Sequence, residues 1–337
     1  MKKKLILLLI IISLIFQFTG CATLHDQVAY TVYPIGYIIE RITGSSNNAV
    51  SIQDDEIIQR AKIKDDYEDI LKASDALFQI GQVEPYLSIY RPYIVDMIAE
   101  RIYLSSVNAI YLFKRYTPVV TNNEVTYVES DYYDASLFED VDVNAKDLYL
   151  WLDPIAMLSM AKDIRDWYIQ KYPDNAKFYE DNCDKLENDL VQLDASYQAL
   201  ATKNLNENKS IKFVSMTSSF GNWQKTYGIQ VYPVILSKYG ALPNNEQLEC
   251  IKQRIIADSV QYIVYEPNMS DDMVELFNQL QEELNLTRVE LSNLSSLTDS
   301  QKESGKDYIS IMYENLQTLE SMAISNEVNN AIHDVLD

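Results

Sequence analysis

Seven apolar residues, Tyr179, Cys183, Leu186, Leu190, Leu193, Tyr197 and Leu200, recur at alternating spacings of four and three. That period puts them on one stripe of an α-helix about seven turns long. So long a stripe needs an apolar partner along its whole length. It fits either a coiled-coil dimer or a strut inside one molecule. Strand patterns resume soon after the stripe ends, which favours the internal strut. Before it, Pro154–Lys171 reads as an amphipathic helix that stops ahead of Pro173, and the long helix should run from about Asp174 to Ala201.

Short buried strands flank this pair of helices. In the first half they are read at Ala29–Tyr33, Ala49–Ile52, Ala76–Ile80, Ala109–Phe113 and Leu148–Leu152, with helical patterns such as Ile35–Ile42 and Ile94–Leu104 between them. The acidic, aromatic stretch from Tyr116 to Asp147 reads as an elaborated loop or hairpin. In the second half strands are expected at Phe213–Met216, Ile229–Pro233, Gln261–Tyr265 and Thr287–Leu291. Helices are expected near Phe220–Tyr227, Asn245–Ala257, Asp271–Asn285 and Tyr308–Ile324, and Ser295–Lys306 as a surface loop or crossover. Alternating strands and helices predict an α/β fold of two lobes with mostly parallel sheets, joined by the long helix. The expected divisions are a signal peptide at 1–20, a first lobe at 21–153, interdomain helices at 154–208 and a second lobe at 209–337.

Lys2, Lys3 and Lys4 precede an apolar run from Leu5 to Phe16 that is short for a bilayer span, and Gly20-Cys21 follows. This is the pattern of a lipoprotein signal cut before Cys21. An acylated Cys21 would hold the chain on the outer face of a bacterial membrane. The formal charge of −22 becomes three units more negative once those lysines are removed. Such a charge excludes nucleic acid as a natural partner. Only Cys183 and Cys250 remain after Cys21, and either a disulfide between them or two free thiols is compatible with the sequence.

The run Tyr149-Leu150-Trp151-Leu152-Asp153-Pro154 carries the sharpest motif. Asp153 suits a helix N-cap and Pro154 a first helical residue. Taken with Tyr33-Pro34-Ile35, Arg41-Ile42-Thr43-Gly44, Ala73-Ser74-Asp75-Ala76 followed by Gly81 and Glu84, Phe220-Gly221, Tyr227-Gly228 and Glu266-Pro267, it resembles the zinc- and manganese-type solute-binding lipoproteins of ABC importers. The resemblance runs through nearly the whole mature chain. It implies two lobes about a rigid helix, one ligand between them, an ABC permease as partner, and no enzymatic activity.

That family holds a divalent metal, usually with three histidines and one acidic residue. Carried onto this sequence, the ligand positions fall near Gln59 and on Tyr149, Thr217 and Ser292, none of which keeps its usual donor. The chain has only two histidines, His25 and His333, both close to its ends. The expectation is therefore a degenerate metal site. Gln59, Tyr149, Thr217 and Ser292, with Tyr33 nearby, would offer neutral hydrogen-bonding groups and flat apolar faces to an organic solute. The alternative is a surface-interaction or adhesin-like lipoprotein whose cleft is closed or repurposed.

No metal cofactor is expected. Acidic clusters such as Asp54-Asp55-Glu56, Asp65-Asp66 and Asp271-Asp272 offer oxygen donors for a divalent cation but follow no EF-hand spacing. Among 25 tyrosines a tyrosinate site for ferric iron is the other metal reading. Ser218-Ser219 has no histidine to activate it, and no phosphate-binding glycine loop is present, so an enzyme is not expected.

Overall fold

A computed structural model describes residues 27–45, 49–98, 100–106, 111–112, 115–121, 124–143 and 146–326. The signal segment, Cys21, His25 and His333 lie outside the described residues. The first lobe carries β1 (Val28–Tyr30), α1 (Tyr33–Thr43), β2 (Ala49–Ser51), α2 (Tyr67–Lys72), β3 (Leu77–Gln79), α3 (Leu87–Met97) and β4 (Arg101–Tyr103). Its four strands are all parallel, in the order β2-β1-β3-β4. Three antiparallel pieces follow: β5 (Tyr111–Leu112), the hairpin β6 (Arg115–Thr121) with β7 (Glu124–Ser130), and β8 (Lys146–Asp147), which pairs with β5.

The helical middle is α4 (Pro154–Lys171) and α5 (Ala176–Asn206). The short strand β9 (Lys209–Ser210) leads into the second lobe. That lobe holds β10 (Lys212–Thr217), α6 (Gly221–Tyr227), β11 (Gln230–Ile235), α7 (Asn245–Ala257), β12 (Tyr262–Tyr265), α8 (Asp271–Glu283), β13 (Thr287–Glu290), α9 (Asp299–Glu303), α10 (Tyr308–Ser321) and β14 (Ile324–Ser325). Its sheet, β11-β10-β12-β13, is again all parallel and repeats the strand order of the first.

The 31-residue helix α5 is roughly 46 Å long, and every residue of its apolar stripe is buried. It meets both lobes. Asn182 donates to the Ile42 carbonyl (3.0 Å) and Asp189 pairs with Arg41 (2.6 Å), both on α1. Tyr197 donates to the Met312 carbonyl on α10 (2.8 Å). The stripe is thus consumed inside one molecule, as the internal-strut reading requires.

Residues 149–153 fasten the lobes together. Leu150–Leu152 is a single 3-10 turn, and Asp153 then caps α4 by accepting from the amides of Ile155 and Ala156. Three of its carbonyls are bound by the second lobe. Asn222 donates to the Tyr149 carbonyl (3.1 Å), Tyr308 to that of Trp151, and the Trp223 indole to that of Leu152 (2.9 Å). The Trp151 indole donates in return to the Asn293 carbonyl (2.7 Å). Trp151 and Trp223 are both fully buried, in one core that includes the first lobe, the helices and one face of the second sheet.

Several sequence expectations need correction. Leu148–Leu152 is no strand; its residues are apolar because two lobes enclose them. The strand expected over Ala109–Phe113 is, within the described residues, only β5, and it lies outside the parallel sheet. The helix expected over Ile94–Leu104 ends at Met97, where Ile98 turns extended, and Arg101–Tyr103 is the edge strand β4. Short apolar runs do not separate helix from strand by spacing alone. Ser295–Lys306 is only partly a surface loop, since Ser295 and Ser296 are buried and Asp299–Glu303 forms α9. Cys183 and Cys250 are both free. The stretch 131–143 docks on the second lobe: Tyr133 donates to the Pro233 carbonyl and Gln247 to that of Leu137, both at 2.8 Å.

Replacing Trp151 with Phe leaves the Asn293 carbonyl without its donor and a void beside it. The expected loss is on the order of 2–4 kcal/mol in urea unfolding. Loss within error of zero would show that the turn does not hold the lobes.

Candidate functional site

Both sheets end in the same device. Thr31 directly follows β1, and its hydroxyl donates to Glu84 (2.6 Å), which also accepts from the amides of Ile80 (2.8 Å) and Gly81 (2.7 Å). In the second lobe Thr217, the last residue of β10, donates from its hydroxyl (2.6 Å) and its amide (2.8 Å) to Glu266. In each lobe a threonine at the end of the first strand thus holds a buried glutamate that follows the next strand in the sheet. Burial raises the carboxyl pKa of both glutamates above the ordinary range. The two acids are each bound within their own lobe and do not form a catalytic pair.

Between these devices runs a chain of neutral side chains. Gln59 of the first lobe donates its amide to the Tyr149 hydroxyl. Tyr149 lies close to Ser219, whose side chain acts on its phenol; Ser219 is hydrogen-bonded to Thr217, and Thr217 to Glu266. Asn293 closes the far end by donating to Glu266 (2.9 Å). Gln59, Tyr149, Thr217 and Ser219 are all buried. Burial also pushes the Tyr149 phenol well above its ordinary pKa, which favours the protonated hydroxyl. One acceptor in the chain, Oε1 of Gln59, has no partner.

The loop after β11 seals Gln59 from outside. Gly240 sits there with φ +68°, and a Cβ at this position would lie 3.0 Å from Arg60 Nε and 3.1 Å from Gln59 Cβ. Glycine is needed for both the left-handed turn and the close approach.

Of the residues singled out from sequence, Gln59, Tyr149 and Thr217 come together in this chain. Ser292 lies beside it with its hydroxyl turned to the Leu294 amide (3.1 Å) and its backbone bound by Asn315. Tyr33 sits apart, against Tyr37, with its ring centroid 6.3 Å away. Ser219, Asn293 and Glu266 complete the network beyond the residues expected from sequence. Their signal was their adjacency to Thr217, Ser292 and Pro267. Among the described residues no group of three or more His, Cys, Asp and Glu side chains could hold a metal ion. No described helix is long and apolar enough to cross a membrane.

A two-lobed α/β scaffold with parallel sheets about a rigid connecting helix is that of a solute-binding protein. The chain matches the family model for zinc-uptake complex component A, periplasmic, over residues 28–322, and it belongs to that family. This is a family of binding proteins, not of enzymes. The zinc-binding lipoprotein AdcA of Streptococcus pneumoniae is 28% identical over 173 residues, covering 51% of this chain and 33% of that protein. The high-affinity zinc uptake system protein ZnuA of Bacillus subtilis is 27% identical over 176 residues, 52% of this chain and 53% of that one. The chain thus matches about a third to a half of the length of these curated relatives. The zinc-bound ZnuA-like domain of Streptococcus pneumoniae AdcA superposes with a TM-score of 0.61 at 19% identity, covering 88% of this chain and 98% of that domain.

Asp147 supplies a pH test of the region. It is buried at the base of the turn, its Oδ1 accepts from the Tyr149 amide (3.0 Å), and its Oδ2 has no partner. Burial raises its pKa from 3.8 to about 7, with nearby Asp153 adding a smaller push. A raised carboxyl pKa contributes stability that is full below the unfolded value near 4 and is lost as pH rises toward 7. The Asp147→Asn variant should therefore lose part of the wild-type rise in stability between pH 8 and pH 5. The difference should be on the order of 2–4 kcal/mol by urea unfolding at the two pH values. Identical pH slopes would contradict it.

Proposed function

We propose that the chain is the extracytoplasmic solute-binding lipoprotein of an ABC importer, anchored through acylated Cys21, whose inherited metal position no longer serves zinc or manganese. The observation that carries this reading is the run of neutral side chains from Gln59 through Tyr149, Ser219 and Thr217 to Glu266. It takes in three of the four positions at which the resemblance locates metal ligands, Gln59, Tyr149 and Thr217, with hydroxyls and an amide. A first-row divalent metal there would need imidazole or carboxylate donors. The one carboxylate present, Glu266, already accepts from Thr217 and Asn293.

The lipoprotein part rests on the signal pattern ending in Gly20-Cys21 and on the lipoprotein designation of the pneumococcal relative. The importer part rests on family membership, and the cargo would be an organic solute, not a classical metal. Burial of Gln59, Tyr149, Thr217 and Ser292 favours a second reading, a surface-interaction lipoprotein whose cleft at this level is shut. The two separate on one observation: a stoichiometric organic mass co-purifying with the protein from its native cell supports transport, and a bare chain supports the second reading.

For the metal position the test is thermal unfolding of the mature chain with EDTA and then with excess zinc or manganese. The unfolding temperature should be the same in all three. A ligand present at a thousand times its dissociation constant would add about 4 kcal/mol. A rise of several degrees with one equivalent of zinc would overturn the proposal.

A further inference from the structure

The carboxyl ends of β3 and β4, helix α3 and the loop after β11 enclose a second pocket, of about 630 Å3. It is distinct from the chain that runs from Gln59 to Glu266, none of whose side chains lines it; Glu84, held in the first lobe by Thr31, forms part of its wall. Lys238 and Tyr239 close it from the second lobe, beside Gly240, which seals Gln59. Ligands of open α/β sheets bind at such strand ends. A volume of this order suits a small organic molecule and far exceeds a bare ion.

Its charge is the reverse of the molecule's. The whole sequence has 28 basic and 50 acidic residues, yet the pocket is lined by Arg91, Arg101 and Lys238 against the single carboxylate of Glu84. Both Glu84 oxygens are already occupied by Thr31, Ile80 and Gly81. Arg101 donates to the Ile98 carbonyl (2.8 Å), so its guanidinium is held in place with no carboxylate partner among the described residues. Lys238 is shared with Asp142 at 2.8 Å, and Arg91 makes no ion pair among the described residues. Gln79 is 3% exposed, lines the pocket, and its Nε2 has no acceptor. A buried amide donor of this kind is costly unless something accepts from it.

The apolar wall is equally unusual. Val95, Tyr103, Val143 and Tyr239 are four of the thirteen large hydrophobic side chains that stay exposed among the described residues, and all four line this pocket. Concentrated exposed apolar surface marks binding sites more often than scattered residues do.

We propose that this pocket binds a small organic anion with an aromatic or apolar body. Arg91, Arg101 and Lys238 face its charge, Gln79 donates to it, and Tyr103 and Tyr239 receive its body. The inference goes beyond the reading of the metal position and does not depend on it; a zinc-binding chain could still carry this pocket.

The test is ligand-observed NMR and calorimetry on the full mature chain with benzoate, phenyl phosphate, inorganic phosphate and neutral benzyl alcohol at millimolar concentration. Benzoate or phenyl phosphate should bind, and benzyl alcohol and inorganic phosphate should bind at least tenfold more weakly. Arg91→Glu, at an exposed position with no ion-pair partner among the described residues, should weaken the aromatic anion at least tenfold while leaving the unfolding temperature unchanged. Gln79→Leu should weaken it as well. Four outcomes overturn the proposal: no binding of either aromatic anion, inorganic phosphate binding as tightly as phenyl phosphate, benzyl alcohol binding as tightly as benzoate, or binding indifferent to Arg91→Glu.

Discussion

The burial of the Trp151 turn between the lobes is the interaction on which the rest of the molecule depends. A 3-10 turn leaves carbonyls free, and here those of Trp151 and Leu152 are taken by Tyr308 and Trp223, while Asn222 adds a second donor to the Tyr149 carbonyl, which closes the turn with the Leu152 amide. The Trp151 indole reaches the Asn293 carbonyl. These bonds are shielded by a shared apolar core, where an unmade hydrogen bond is expensive. They fix the second lobe against the first, and Tyr149 is carried into the interlobe space by the same turn. The α5 strut then repeats the attachment at longer range through α1 and α10.

Once the lobes are fixed, the contents of the space between them follow from two copies of one local device. Thr31 with Glu84, and Thr217 with Glu266, end corresponding strands of sheets with the same order. Each pair satisfies a buried carboxyl within its own lobe. Between the lobes lie groups that are neutral at ordinary pH: the Gln59 amide, the Tyr149 phenol and the Ser219 hydroxyl, which joins the second-lobe device through Thr217. Such a network stabilises by mutual hydrogen bonding and holds no formal charge that a cation would compensate. The positive, half-apolar pocket beside it is lined from both lobes, at the ends of β3 and β4 and by Lys238 and Tyr239.

Much of the fold was legible in the sequence. The four-three stripe of α5, the capped start of α4 at Asp153-Pro154, and the bounds of α7 and β10 to β13 are local patterns, and the structure follows them closely. The first lobe was less legible. Its edge strand β4 and the Leu148–Leu152 turn owe their apolar character to tertiary enclosure, which spacing alone does not reveal. The site was half legible. Gln59, Tyr149 and Thr217 could be located through a family resemblance, yet that Glu266 and Asn293 complete their network depends on which strands neighbour each other. The repeated threonine–glutamate device was hidden for the same reason, since the two lobes share strand order but no visible sequence repeat.

The scaffold is that of the zinc-uptake component A family, while the proposed reading of the cargo rests on an interlobe network in which neutral hydroxyl and amide groups lead to Glu266. The most direct test is elemental analysis with native mass spectrometry of the purified mature chain, after dialysis against zinc and then against metal-free buffer. The account predicts the mass of the chain without zinc and less than a tenth of an equivalent of any first-row metal, by order of magnitude. One tightly held zinc per chain, lost when Tyr149 or Gln59 is replaced, would contradict it.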